Sequence, residues 1–192
     1  MSTIPYISAT MQTVLTTVAN AAARSTGFIQ RQRQLTGASF VQALVFGFLA
    51  KPTLSLDQLA QTAAAVGTPL SAQGLDQHFT ARAAACLHAV LGTAVQQCVT
   101  AEPVAIPLLQ RFAGVYVLDS TTIMLPDALQ EVWQGNGGST AMGTSAALKV
   151  QVLWDLSAGS LQHIGLQDGR ANDTVAPAQD VLLPAGALRI AD

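Results

Sequence analysis

A chain of 192 residues is long enough for one domain or two small ones, and half of it is apolar, so a sizeable core can be buried. Only 10% of the residues are charged, which leaves little charge to cover a surface, and the formal net charge of −2 excludes the bulk basic excess typical of nucleic-acid binders. The N-terminus, MSTIPYISATM, lacks a basic segment followed by an apolar run and so does not read as a secretory signal. In chain order, the first hundred residues are rich in Ala, Leu and Gln and read as helical. Helices are expected over Thr10 to Arg24 and over Phe40 to Leu49, the second stopped by Pro52. The greasiest stretch, Ala38 to Ala50, is 13 residues long and contains Gln42. That is too short to span a bilayer and reads as a core helix. Ser55 caps the next helix, in which Leu56, Leu59, Ala60 and Ala63 recur at helical spacing. Gly67-Thr68-Pro69 breaks it, Ser71 caps a short helix through Phe79, and a longer one runs from Arg82 to Val99. Cys86 and Cys98 have no metal-ligand spacing and read as small buried hydrophobes.

From Gly114 the texture changes to short Val, Ile and Leu runs with more glycine. VYVLD (115–119) reads as a strand ending at Asp119. AALKVQVLWDL (146–156) alternates, with Leu148, Val150, Val152 and Trp154 on the face expected to be buried. Ser157 to Ser160 form a turn, and LQHIGLQ (161–167) returns to make a hairpin. Asn172 or Asp173 caps a helix expected to reach about Leu183, and LRIAD ends the chain as an apolar strand delivering Asp192. The fold class is therefore α+β: a helical region, then strand, hairpin, helix and strand.

VYVLD and LRIAD are both mainly apolar runs followed by a carboxylate, which suggests strands buried on both faces. The expected crossover favours a parallel pair within the sheet. As neighbours, the strands would bring Asp119 and Asp192 together at one sheet edge, where open α/β sheets place their sites. Adjacent carboxylates repel, and a divalent cation held by oxygen ligands, Mg²⁺ above all, resolves the repulsion. That arrangement suits phosphodiester chemistry. Taken alone, two strand-ending aspartates suit turn formation or capping better than chemistry.

The order of motifs goes further. LDSTTIMLPDALQEVWQGNGGSTAMGTSAALKVQVLWDLSAG, then GLQDGRANDT, then LRIAD resembles the transposases of bacterial insertion sequences. Within them the resemblance is to the DDE class with an RNase H-like core, insertion-sequence family four. It spans roughly residues 112 to 192, and LTGASFVQALVFGFL and SAQGLDQHF extend it more loosely into the helical half. The resemblance implies a helical, DNA-binding region over 1–105 and an incomplete RNase H-like catalytic core over 112–192. It implies that Asp119 and Asp192 are the first two catalytic carboxylates, binding Mg²⁺ or Mn²⁺, with a third ligand, a glutamate, far downstream. Glu102 and Glu131, the two glutamates present, both precede Asp192. The resemblance thus implies an N-terminal fragment, inactive alone, of an enzyme that cuts a DNA strand at an element's end and joins the freed 3′-hydroxyl to target DNA. Its partners would be terminal-repeat and target DNA, with a homodimer in the full-length protein and no membrane. Its location would be the bacterial cytoplasm, at the nucleoid. The alternative is a non-catalytic DNA-binding remnant that competes with a full-length transposase.

Other features carry less. Ser120-Thr121-Thr122 has no nucleophile elbow, and its hydroxyls suit local backbone bonding. Gly135 to Ser139 lacks the GK[ST] of a phosphate loop and reads as a connection. Lys149 and Arg170 fit the family pattern and are either phosphate contacts or solvated charges. Ser55 to Phe79 also reads as a helix-turn-helix presenting Gln73, Gln77 and His78 to DNA, glutamine being a reader of adenine edges. His163 reads as a structural histidine.

Overall fold

Hydroxyl side chains start the helices where the sequence expects them. In the computed structural model, which describes residues 3–31, 34–99, 101, 103–104, 106–135, 146–172 and 177–191, Thr36 and Ser55 each form a reciprocal capping box. Thr36 pairs with Ser39 at the start of α3 (Gly37–Ala50), and Ser55 pairs with Gln58 at the start of α4 (Leu56–Ala65). Ser71 accepts from the Gly74 N–H and opens α5 (Ala72–Asp76). Thr80 accepts from the Ala83 N–H ahead of α6 (Ala81–Cys98). The first helical stretch begins earlier than expected. It runs as α1 (Thr3–Thr13), a π-helical segment (Val14–Val18) and α2 (Ala19–Ser25). The widened turn buries Val14 and Leu15, and the Gln42 side-chain amide donates to the Leu15 carbonyl across from α3. That bond explains a polar residue in the greasiest helix.

The chain divides into two compact units, Met1–Cys98 and Val99–Asp192. In the first, Val14, Ala19, Ala23, Val41 and Cys86 make one core cluster. Phe40, Leu44, Leu59 and Leu75 make another, with the Phe28 and Phe40 rings 4.7 Å apart. No described helix is long and apolar enough to cross a membrane.

The second unit is a four-stranded mixed sheet of β1 (Val115–Leu125), β2 (Ala146–Asp155), β3 (Ser160–Asp168) and β4 (Leu188–Ala191), ordered β3-β2-β1-β4. β1, β2 and β3 pair antiparallel in succession, and β4 lies parallel to β1. Gly159, at φ +65°, closes the β2–β3 turn in the left-handed region. The helices-then-sheet order is the expected α+β class.

Four expectations give way. β1 does not end at Asp119: it continues to Leu125, paired with β2 throughout, because Thr121, Thr122 and Ile123 favour extended backbone. The buried face of β2 is the one carrying Gln151, Leu153 and Asp155, while Leu148, Val150, Val152 and Trp154 are only half-buried. No helix reaches Leu183. A 3₁₀ turn (Pro177–Asp180) takes its place, followed by irregular chain in which Leu182 is 96% exposed. Ala178, Val181, Leu183 and Ala187 of that segment cover Tyr116, Leu118 and Leu153, and so decide which sheet face is buried. Burial of β1 and β4 on both faces therefore fails: Ile123 and Ile190 on the other face are 48% and 43% exposed. Asp173 and residues 136–145, which include most of the glycine-rich connection, lie outside the described residues.

Gly37 sits where α3 meets α2. A Cβ there would meet the Ala19 carbonyl oxygen and stand 2.5 Å from the Ala23 Cβ, both on fixed helix backbone. Gly37→Val is expected to destabilise the helical unit by about 1–3 kcal/mol through overpacking, seen as a lowered denaturation midpoint. A small gain, as for a helix glycine in open space, is the contrary outcome.

Candidate functional site

Asp119 sits on β1, one of the two inner strands, at a change of partnership. β2 flanks β1 along its length, but β4 pairs with it from Val115 to Leu118 in the described residues, the last pair being Leu118 opposite Ala191. Asp119 is the next residue along β1. Its side chain is exposed, and one carboxylate oxygen accepts the Ser120 N–H at 2.8 Å. Strand alternation puts it on the open face with Val117, opposite Val152 of β2 and beside the face of Ile190 on β4. Asp192, which follows Ala191 in the sequence, lies outside the described residues. Among the described residues no three His, Cys, Asp or Glu side chains gather as a metal site. At this position the sheet presents the accessible carboxylate of Asp119, a hard oxygen donor of the right chemistry for a divalent cation.

The neighbouring charged groups have other arrangements. Asp155 is buried, and its carboxylate accepts the Ser157 and Ala158 N–H groups at 2.8 and 2.9 Å, which builds the β2–β3 turn. The Tyr116 hydroxyl also bonds Asp155. Burial first, then the Asp155 charge and that hydrogen bond, push the phenol above its ordinary value of 10. Lys149 shares the covered face with Thr122 and Gln167, the face opposite Asp119, and its ammonium donates to the Ala171 carbonyl at 2.6 Å. Arg170 is exposed, and its backbone N–H bonds the Gln134 carbonyl at 3.1 Å. Asp168 ends β3 opposite Leu148, separated from β1 by the whole of β2. The sheet therefore leaves Asp119 on one face, turns Lys149 to the other, and keeps Arg170 in the turn after β3.

In the helical unit, Gln73 and Gln77 are both exposed, the first on α5 and the second just past it. α5 is only five residues long, so it presents little more than one turn to a groove. His78 turns inward: its ring meets Phe28 edge-on at 6.2 Å, and burial lowers its pKa. Sequence reasoning overlooked a cleft of about 860 Å³ in this unit, lined by Phe28, Arg31, Gln34, Leu70, His78 and Arg82 among others. The available signal was the distribution of charge between the two halves, which the whole-chain total conceals.

Comparison with known proteins yields relatives in one group. The chain is 29% identical over 157 residues to the transposase for insertion sequence element IS231B of Bacillus thuringiensis subsp. berliner. It is 26% identical over 153 residues to that for IS231F of Bacillus thuringiensis subsp. israelensis, and 28% over 154 residues to that for IS231E of Bacillus thuringiensis subsp. finitimus. Each match covers 79% of this chain and 31% of the relative, so the chain aligns with about a third of the relatives' length. No family model and no solved structure matches.

The Tyr116–Asp155 pair makes the scaffold beneath Asp119 sensitive to alkali. A phenol whose folded pKa is raised contributes stability that is fully present below its ordinary value of 10 and is lost as pH rises through the folded value. Tyr116→Phe is expected to cost about 1 kcal/mol near neutrality, from the lost hydrogen bond, and to flatten the fall in stability above pH 10. Denaturant titrations across that range check both effects. An equally steep alkaline fall in the variant would refute the assignment.

Proposed function

We propose that this homologue of the insertion-sequence transposases carries the first part of an RNase H-like catalytic core of the DDE class and belongs to a DNA-transposition system. Asp119 and Asp192 are, on this reading, the first two carboxylate ligands of its catalytic Mg²⁺ or Mn²⁺. The observation that carries it is the parallel pairing of Leu118 with Ala191, because each of these residues is followed in the sequence by an aspartate. Carboxylates borne by neighbouring parallel strands repel unless a cation lies between them, and two all-oxygen donors suit Mg²⁺ or Mn²⁺. When bound, such an ion activates water and stabilises the leaving oxygen in phosphodiester cleavage. The exposure of Asp119 leaves it accessible to both metal and a DNA phosphate.

The mixed sheet supports the RNase H-like reading, and the transposase relatives support DNA as the substrate. Element ends and target DNA are substrates of the longer protein, which acts as a homodimer at the bacterial nucleoid. Exposed Arg170, Gln73 and Gln77, together with Lys149, are its proposed DNA contacts. Neither Glu102 nor Glu131 follows Asp192, so these 192 residues carry two arms of a three-carboxylate site. They bind a divalent ion weakly and do not cut DNA by themselves.

Mn²⁺ binding by the 192-residue chain, read from water-proton relaxation, is expected to weaken at least about tenfold in Asp119→Asn and again in Asp192→Asn. Undiminished binding in both variants would remove the metal site. A plasmid incubated with the chain and Mn²⁺ is expected to stay unnicked. Nicking that disappears in Asp119→Ala would overturn the inactivity of the isolated chain.

A further inference from the structure

The small net charge conceals two oppositely charged halves. From Met1 to Cys98, Arg24, Arg31, Arg33, Lys51 and Arg82 stand against Asp57 and Asp76, a formal +3. From Val99 to Asp192, four basic residues stand against nine acidic ones, a formal −5, and together these restore the total of −2. Arg24 lies in the last turn of α2 and Arg31 in the connection that follows, and the fold brings Arg82 to that connection from α6. Gly27, at φ +68°, turns the chain there, and the Arg82 side chain lies 4.0 Å from where a Cβ on Gly27 would stand.

Arg31 and Arg82 both line the 860 Å³ cleft. Its floor is apolar, with Phe28, Leu35 and Leu70, and Gln34 adds an amide that donates to the Pro69 carbonyl at 3.1 Å, tying the connection to the segment before α5. Both arginine side chains are exposed, and among the described residues neither makes a hydrogen bond or an ion pair. The unit's two carboxylates, Asp57 at the start of α4 and Asp76 at the end of α5, are absent from the lining. Two guanidinium groups, without a carboxylate partner among the described residues, thus flank an open cleft in the half of the chain whose net charge is positive.

We infer that this cleft binds the phosphate backbone of duplex DNA, with Arg31 and Arg82 each engaging a phosphate. The inference deepens the transposase reading by locating a DNA contact that reading does not assign. A guanidinium presents a planar fork of donors matched to phosphate oxygens, and an open cleft admits a polymer that runs past it. Contacts of this kind are independent of base sequence and release counterions, so they carry a salt signature.

The test uses the full 192-residue chain and a fluorescent duplex of arbitrary sequence, about two helical turns long, titrated by anisotropy at several salt concentrations. Arg31→Gln/Arg82→Gln is expected to weaken binding about tenfold or more at low salt. It should also make the slope of log affinity against log salt shallower by about 2, near one unit per lost phosphate contact. The Arg31→Lys/Arg82→Lys variant is expected to keep most of the slope, and Lys51→Gln, outside the cleft, to keep both affinity and slope. An unchanged unfolding midpoint excludes misfolding, since both side chains are exposed. Wild-type binding with full affinity and slope in the glutamine variant would overturn the cleft and leave the transposase reading standing. Absence of any duplex binding at low salt would overturn both. Displacement of DNA by inorganic phosphate, beyond the effect of chloride at equal ionic strength, would assign the cleft to a free anion and overturn the duplex assignment.

Discussion

β4 is held to β1 by four residue pairs, and the proposed metal site depends on that short contact. Parallel strands cannot be joined by a tight turn, so the chain must cross over the sheet between Asp168 and Leu188 and lie down on one of its faces. What fastens the crossover is largely one side chain. The Arg189 guanidinium, from within β4, donates to the Gln179 carbonyl, the Gln179 side-chain oxygen and the Val181 carbonyl at 3.1, 2.6 and 3.0 Å. Hydrogen bonds from a charged donor contribute more than neutral ones, and here they satisfy carbonyls of a segment with little regular structure of its own. Under them Ala178, Val181, Leu183 and Ala187 meet Tyr116, Leu118 and Leu153. The register that sets Leu118 against Ala191 is therefore maintained by a small apolar cluster and one cation.

That asymmetry defines the environment of Asp119. Covering one face commits Tyr116, Leu118 and Leu153 to the interior and leaves the alternate residues Val117, Asp119 and Val152 on the open side. β1 also changes character at Asp119, from an apolar run to the three hydroxyl residues Ser120 to Thr122. A carboxylate at this junction, on the face that residues 177–187 leave open, keeps access to solvent. One residue earlier or later it would point into the covered face, where an unpaired charge is strongly disfavoured.

The parts of this arrangement that were legible in the sequence are local ones. Ser55, Ser71 and the break after α4 announce themselves because a cap needs only its own first turn. The β2–β3 hairpin and the final strand were legible for the same reason, their signals lying within a few residues. What escaped depended on distant chain. Alternation along β2 separates two faces but does not say which will be covered, and the choice is made by residues 177–187. Gln151 and Asp155 are buried because that segment lies on their side, against the polarity of their side chains. The helix expected before Leu183 failed similarly: its apolar residues serve the sheet through an irregular path between Pro177 and Pro184. At the site, Asp119 stood out through its motif, whereas Arg31 and Arg82 are 51 residues apart and come to line one cleft only once α6 packs against α2.

On the proposed transposase reading, the division of charge would give the two units different tasks toward DNA. A sheet unit at formal −5 repels a polyanion, and concentrating carboxylates to hold metal worsens that repulsion until cations bind. A helical unit at formal +3, with Arg31 and Arg82 lining one cleft, has the opposite tendency. The proposed affinity of the helical unit and the proposed chemistry of the sheet unit would then be two consequences of one electrostatic constraint. Under that proposal, carboxylates that held a metal could not also attract phosphates, so attraction would come from elsewhere in the chain. The low total charge, which at first weighs against a nucleic-acid partner, is what such a division produces when the two halves are added together.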